Sequence, residues 1–206
     1  MSRRILVGLA SMLLASVTSP QLVVNATLAL QNRPRTITIK GDRRSPLKIR
    51  TIRTKGKQVE PDKEIFDIDD WLKQLTVEMR NDSGKTVSFV QVELFFPRLD
   101  PDAKQPGSSF TLDFGDNPFA FDNAAAMPPI RVKPLSPGEH LEITLTDADF
   151  TRLNAFLIDT GLLVTSKVDI RVNLIGFSDG TAWSGQMVQR RPTGGWMPLA
   201  GSRSPP

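Results

Sequence analysis

The stretch SKVDIRVNLIGF, residues 166–177, constrains the fold most. Val168, Ile170, Val172 and Leu174 alternate with Lys167, Asp169, Arg171 and Asn173. Successive side chains of a strand point to opposite faces, so a period of two over this length predicts a half-buried β-strand. The SDGT that follows, and the AWSGQMVQ after it, supply the return. Asp179-Gly180 favours a two-residue hairpin turn, because both central positions of such a turn need positive φ. The spacing therefore predicts a hairpin turning at Asp179-Gly180. Trp183, just past the turn, is expected to pack on the sheet and not to wait for a ligand.

The same grammar recurs upstream. In LTVEMR, Leu75, Val77 and Met79 alternate with Thr76, Glu78 and Arg80, and NDSGK supplies a turn before TVSFVQVELFFP. In that second strand Val90, Val92, Leu94 and Phe96 keep one parity while Val87 and Phe89 keep the other. The slip predicts a bulge, or a strand covered on both faces. SSFTLDFG carries Phe110, Leu112 and Phe114, and LSPGEHLEITL alternates Leu141, Ile143 and Leu145 after a Pro-Gly turn. Nearer the start, RTITIK and PLKIRTIRTKG read as one or two short edge strands, whose basic residues would discourage pairing with other chains. The period changes once. TDADFTRLNAFLIDTG spaces Phe150, Leu153 and Leu157 at helical intervals, opens on a Thr146 to Asp149 capping pattern and stops at Gly161. These signals predict a mainly β chain: an antiparallel immunoglobulin-like β-sandwich of about seven strands, with one short helix near residues 147–160.

Composition bears on chemistry. With no cysteine among 206 residues there are no disulfides, thiolate metal sites or Cys nucleophile. A single histidine, His140, leaves little for acid–base triads or metal ligation. Residues 1–26 combine an arginine pair, the apolar run ILVGLASMLLASV and the small-residue site VNA, the pattern of a cleaved secretory signal peptide. The run is shorter than the ~20 residues of a membrane span, so no transmembrane segment is expected once the signal is removed. The chain is expected to be extracytoplasmic, periplasmic or secreted. Charge is unevenly spread: residues 33–57 hold ten Lys and Arg against Asp42 alone, whereas residues 58–206 carry a net −7. The organisation expected is a signal peptide (1–26), a basic segment (27–60), a β-sandwich (61–191) and a flexible Gly/Pro/Ser-rich tail (192–206).

DDWLKQLTVEMRNDSGKTVSFVQVELFFP, PLSPGEHLEITL and VNLIGFSDGTAWSGQMVQRR together resemble a group of uncharacterised secreted bacterial proteins with an immunoglobulin-like fold, and more distantly the FxLYD-type β-sandwich domains. The points of likeness are Trp71, Asn81, Ser83, Gly84, Lys85, Pro137, Gly138, Glu139, Asp179, Gly180, Thr181 and Trp183, within residues 71–191. At the place of the FxLYD signature stand Val92, Leu94, Phe95 and Phe96, without its Tyr and Asp. The resemblance implies a fold and no activity.

The function expected is therefore a non-enzymatic binding or structural role in the cell envelope, as a monomer without cofactor. Candidate partner-binding residues are Arg43, Arg44, Lys48, Arg50, Arg53, Lys55 and Lys57, for an anionic polymer or an envelope protein, and Trp196 in GGWMPL, for a partner groove. Outside the cytoplasm nucleic acid is not an expected target. The bland alternative has the basic segment lying against the acidic body of its own chain. FDIDDW and DFGDNPFAFDN lack the spacing of a calcium loop, so no metal site is assigned. The alternative function is a carbohydrate-active enzyme or its accessory carbohydrate-binding module, which convergence of Asp113, Asp116 and Asp122 on one cleft would favour.

Overall fold

The computed structural model describes residues 34–65, 70–98, 106–115, 117, 133–162, 165–185, 187–190 and 196–198. The expected signal peptide lies outside the described residues. The described chain is mainly β, with one helix and two sheets. In order it forms β1 (Arg35–Ile39), β2 (Leu47–Thr54), β3 (Lys57–Val59), β4 (Glu64–Ile65), β5 (Thr76–Asn81), β6 (Val87–Pro97), β7 (Gly107–Gly115), β8 (His140–Thr144), α1 (Asp147–Asp159), β9 (Lys167–Phe177), β10 (Thr181–Trp183), β11 (Met187–Arg190) and β12 (Trp196–Pro198). The smaller sheet runs β3-β2-β5-β8. In the larger, β12-β11-β10-β9-β1-β4 follow one another, and β6 joins β9 on its other side with β7 beyond it. Buried residues of both sheets, among them Ile52, Val77 and Ile143 of the smaller and Val92, Phe96 and Ile170 of the larger, form one core cluster. Among the described residues no helix is long and apolar enough to cross a membrane.

Alternation builds β5 and β8 as expected: Val77, Met79, Leu141 and Ile143 are buried, and Glu142 and Thr144 between them are exposed. Helix α1 also follows its signals. The Thr146 hydroxyl accepts from the Asp149 amide, and the Asp149 carboxylate accepts from the Thr146 amide, completing a capping box. At the other end Leu162 N–H donates to the Leu157 carbonyl and Gly161 N–H to that of Ile158. This is a Schellman stop, and Gly161 takes φ +69 in it.

Strand β6 realises both readings of its slip. Val87 faces Phe177 and Phe89 faces Gly176, which makes Ser88 an extra residue on β6. Phe89 is fully buried yet lies outside the inter-sheet cluster, and Glu93, of the same parity, is buried too, so both faces of the strand are covered. Strand β9 departs from its simple alternation. Gln91 faces Leu174 while Val92 faces Val172, so Asn173 is an extra residue on β9. Beyond it the inward positions pass to Ile175 and Phe177, and Leu174 is only half-buried.

Four further expectations are corrected. The larger sheet is not wholly antiparallel, because β1 pairs parallel to β9, with Ile37 opposite Val168 and Ile39 opposite Ile170. Neither β1 nor β2 is a simple edge strand. β1 has β9 along one side and β4 at Arg35 and Thr36 on the other, and β2 has β5 along one side and β3 at Ile52 to Thr54. The basic segment is thus woven into both sheets. Trp196–Pro198, expected as flexible tail, is strand β12 paired with β11, since backbone ladder bonds need no side-chain periodicity. Finally, the β9–β10 turn leaves three residues, 178–180, between its strands. Gly180 N–H donates to the Phe177 carbonyl at 3.0 Å, and Gly180 takes φ +78 while Asp179 keeps a negative φ, the type I turn plus left-handed glycine of three-residue hairpins.

The adjacent 81–86 turn is bonded to this one. Ser178 N–H donates to the Thr86 carbonyl, and Lys85 Nζ reaches Asp179 Oδ2 at 2.7 Å and Thr181 Oγ1 at 2.9 Å. The Thr181 amide and hydroxyl both donate to Asp179 Oδ1. Lys85 first, then Thr181, hold the Asp179 carboxyl down to a pKa of about 2. A depressed folded-state value means the stabilisation is complete above the ordinary 3.8 and disappears as pH falls through about 2. Because the carboxylate is half exposed, solvent screening limits the effect to about 1 kcal/mol. Asp179→Asn is expected to flatten this part of the stability profile in urea melts between about pH 4 and 2. An unchanged acid limb would show that the pair contributes nothing.

Candidate functional site

The loop joining β1 to β2 borders two clefts. Asp42 shapes it: its Oδ1 accepts from the Arg44 amide at 2.8 Å and from Arg44 Nε at 3.4 Å, and its carbonyl accepts from the Ser45 amide. The Arg44 amide, then its guanidinium, keep the Asp42 carboxyl below its ordinary pKa against some desolvation. Ser45 Oγ donates to the Leu47 carbonyl, and Lys48 Nζ donates to the carbonyls of Asp42 and Arg43. Short-range bonds of this kind fix a loop without any side-chain packing.

Two clefts share Gly41, Asp42 and Val172 as a common wall. The smaller, about 290 Å³, is apolar at its base through Ile39, Leu47 and Ile49, with Arg43 and Lys48 at its lining. The larger, about 510 Å³, is lined also by Lys40, Arg171, Asn173, Trp183, Ser184 and Gly185. Arg171 comes from β9 directly opposite Glu93 of β6. Glu93 is only 5% exposed, yet its two carboxylate oxygens are both taken: Oε2 accepts from Arg171 Nε, and Oε1 accepts from Ser109 Oγ on β7. Burial opposes the Glu93 charge, but the bonds from Arg171 and Ser109 outweigh it and lower its pKa; the same pair raises that of Arg171. Nearby, Asn173 Nδ2 donates to Gln91 Oε1, and Gln91 Nε2 donates to Asp113 Oδ1.

The residues expected to bind a partner divide sharply. Arg43 and Lys48 reach the smaller cleft, although Lys48 spends its ammonium on the loop's own carbonyls. Arg44 is bound to Asp42. Arg50 pairs with Asp82 at 2.7 Å, and Arg53 pairs with Glu142 and, at 3.8 Å, with Glu78. Lys55 sits in the β2–β3 turn with φ 48, and Lys57 opens β3 at the end of β2 away from the loop. The Trp196 backbone begins β12 opposite Arg190, on the far side of β10 and β11 from β9. Trp71 and Trp183 are both buried. His140 is on the surface, its Nδ1 2.9 Å from Glu78. Of the three aspartates that would favour an enzyme, Asp113 is engaged by Gln91, and Asp116 and Asp122 lie outside the described residues.

Sequence reasoning passed over Lys40, Arg171 and Asn173, which line the larger cleft, and Glu93, which holds Arg171. One signal pointed to them: a glutamate at 93 inside FVQVELFFP, where both strand faces are apolar, demands a buried partner. No protein-family model, curated protein or solved structure matches the chain.

Proposed function

We propose that this chain is an exported, non-enzymatic β-sandwich of the immunoglobulin-like kind that binds an anionic component of the cell envelope through its β1–β2 loop. The observation that carries this reading is the division of the basic segment. Along β2 the cations Arg50 and Arg53 are consumed by acids of the body, whereas Arg43 stands at the smaller cleft and Lys40, 4.0 Å from Asp169, at the larger. Among the described residues the Arg43 side chain has no hydrogen-bond or ion-pair partner, so its charge is available to a ligand. An electrostatic contact of this sort is screened by salt over a Debye length of about 8–10 Å.

Retention on immobilised heparin, used as a generic polyanion, tests the reading. Binding at about 50 mM salt is expected to be lost by about 500 mM. Arg43→Glu should weaken it about three- to fivefold at low salt, as reversal of a rim charge does, while Lys57→Glu at the distant hairpin should leave it nearly unchanged. Equal losses in the two variants, or retention insensitive to salt, would remove the loop from the contact.

A further inference from the structure

We propose that the larger cleft is an oxyanion site, in which the outer edge of the Arg171 guanidinium forks to two oxygens of a carboxylate or phosphate group on the bound component. The proposal rests on the binding reading above and names the group that is recognised.

Geometry is its basis. Arg171 Nε is held by Glu93, and among the described residues its two terminal nitrogens have no partner, although the side chain is half exposed at the cleft. A guanidinium fixed at Nε presents its remaining N–H groups in a planar array that matches a pair of oxygens. Glu93 is nearly inaccessible and is itself anchored by Ser109 from the next strand, so rotation of Arg171 would strand a buried carboxylate. Burying the Glu93 carboxylate costs desolvation that its bond to a half-exposed arginine offsets only in part, so the pair is a weak source of stability. What it does supply is orientation, the property a recognition site needs.

The surroundings complete the site. Lys40, the residue after β1, continues the parity of Thr36 and Thr38 and so stands on the same sheet face as Asp169 and Arg171. Lys40 is 4.0 Å from Asp169 and Lys167 is 3.7 Å from it; both ammonium groups offset the charge of that aspartate, which is not in the cleft lining, although its Oδ1 has no hydrogen-bond partner among the described residues and its charge also acts on Arg171. The one acid in the lining, Asp42, is occupied by Arg44. Asn173 offers its side-chain oxygen for a ligand hydroxyl, since its Nδ2 is already donated to Gln91.

Titration of the full chain, labelled with ¹⁵N, with trigalacturonate and separately with glycerol 3-phosphate distinguishes the two oxyanion sources. The Arg171 Nε–H resonance is expected to shift with whichever anion fits. Arg171→Lys keeps the charge but loses the fork, and should weaken that binding about tenfold or more. Glu93→Gln should weaken it severalfold and broaden the Arg171 resonance, with the fold retained by circular dichroism; that loss of orientation is a signature that a merely structural role for Glu93 would not give. A shift with trigalacturonate alone assigns a carboxylate ligand, and one with glycerol 3-phosphate alone a phosphate ligand. If neither anion moves the Arg171 resonance at about 10 mM, or if Arg171→Lys binds like the parent, the oxyanion site is overturned. Salt-sensitive heparin retention that depends on Arg43 would survive that result, so failure of the cleft is distinguishable from failure of the loop.

Discussion

Phe96→Ala is expected to lower the free energy of unfolding by about 3–5 kcal/mol, the range for truncating a fully buried aromatic. Phe96 is wholly inaccessible on β6 and belongs to the cluster that both sheets share. Its ring lies 6.4 Å from that of Phe156 on α1, and Phe156 in turn lies 5.8 Å from Phe110 of β7. The side chain therefore does two things at once. It fills the space between the sheets, and it provides part of the surface on which the helix docks. Truncation forfeits the transfer free energy of the ring and leaves a cavity bordered by three elements, none of which can collapse without moving a strand or a helix. Urea denaturation followed by tryptophan fluorescence should show a lower midpoint with little change in slope. Phe96→Leu, which refills much of the volume, should cost only about half as much. A loss below about 1.5 kcal/mol for the alanine variant would mean that the helix and the β6–β7 pair rearrange to fill the gap, and that the packing described for this end of the core is wrong.

The elements that sequence could reach are those whose information is local. In β5 and β8 one face is buried and one solvated, and the period of two is written directly into Leu75 to Arg80 and Leu141 to Leu145. Helix α1 announces itself through Thr146, Asp149 and Gly161, each acting on its own backbone neighbours. Non-local decisions left no such trace. The parallel pairing of Ile37 with Val168 joins parts of the chain far apart in sequence, and nothing in RTITIK says which strand it will lie beside. The Asn173 bulge, seen in the register of β9 against β6, transfers the inward face of β9 to Ile175 and Phe177, and the alternation within β9 does not announce it. Asp179-Gly180 marked the place of the turn, but not its three-residue length or its bonds to Lys85 and Thr86 on another loop.

The candidate site was less legible for a related reason. A row of charges alternating along a strand reads the same whether it faces bulk water or lines a cleft. Arg171 acquires its meaning only when β6 places Glu93 opposite it and the chain after β1 brings Lys40 to its other side. Likewise the basic segment showed ten cations in its sequence but not their partners. Asp82 and Glu142 pair with Arg50 and Arg53, whereas the Arg43 side chain at the β1–β2 loop has no partner among the described residues.

Asn81→Ala is the second large loss expected, about 2–4 kcal/mol, from a residue that looks on sequence like one more turn former. Asn81 is fully buried at the end of β5. Its Nδ2 donates to the carbonyls of Lys85 at 2.9 Å and Leu135 at 3.2 Å, and its Oδ1 accepts from the Ser83 amide at 3.0 Å and hydroxyl at 2.7 Å. One amide thereby ties the 81–86 turn to the segment before β8. Its backbone adds bonds from Asn81 N–H to the Glu139 carbonyl and from Gly138 N–H back to its own carbonyl. Removing the side chain leaves the backbone bonds but strips the Ser83 amide of its acceptor and the Lys85 and Leu135 carbonyls of a donor, and opens a gap at a fully buried position. Asn81→Asp separates the two halves of the network: it keeps the acceptor, loses both donors and introduces a buried charge, so it should be at least as damaging at neutral pH and partly recover as the carboxyl is protonated. Because Lys85 carries the turn onward to Asp179, the Asn81→Ala and Asp179→Asn losses should sum to more than the double variant shows. Strict additivity would mean that the 81–86 turn and the 178–180 turn are held independently, and that Asn81 anchors its own loop and nothing beyond it.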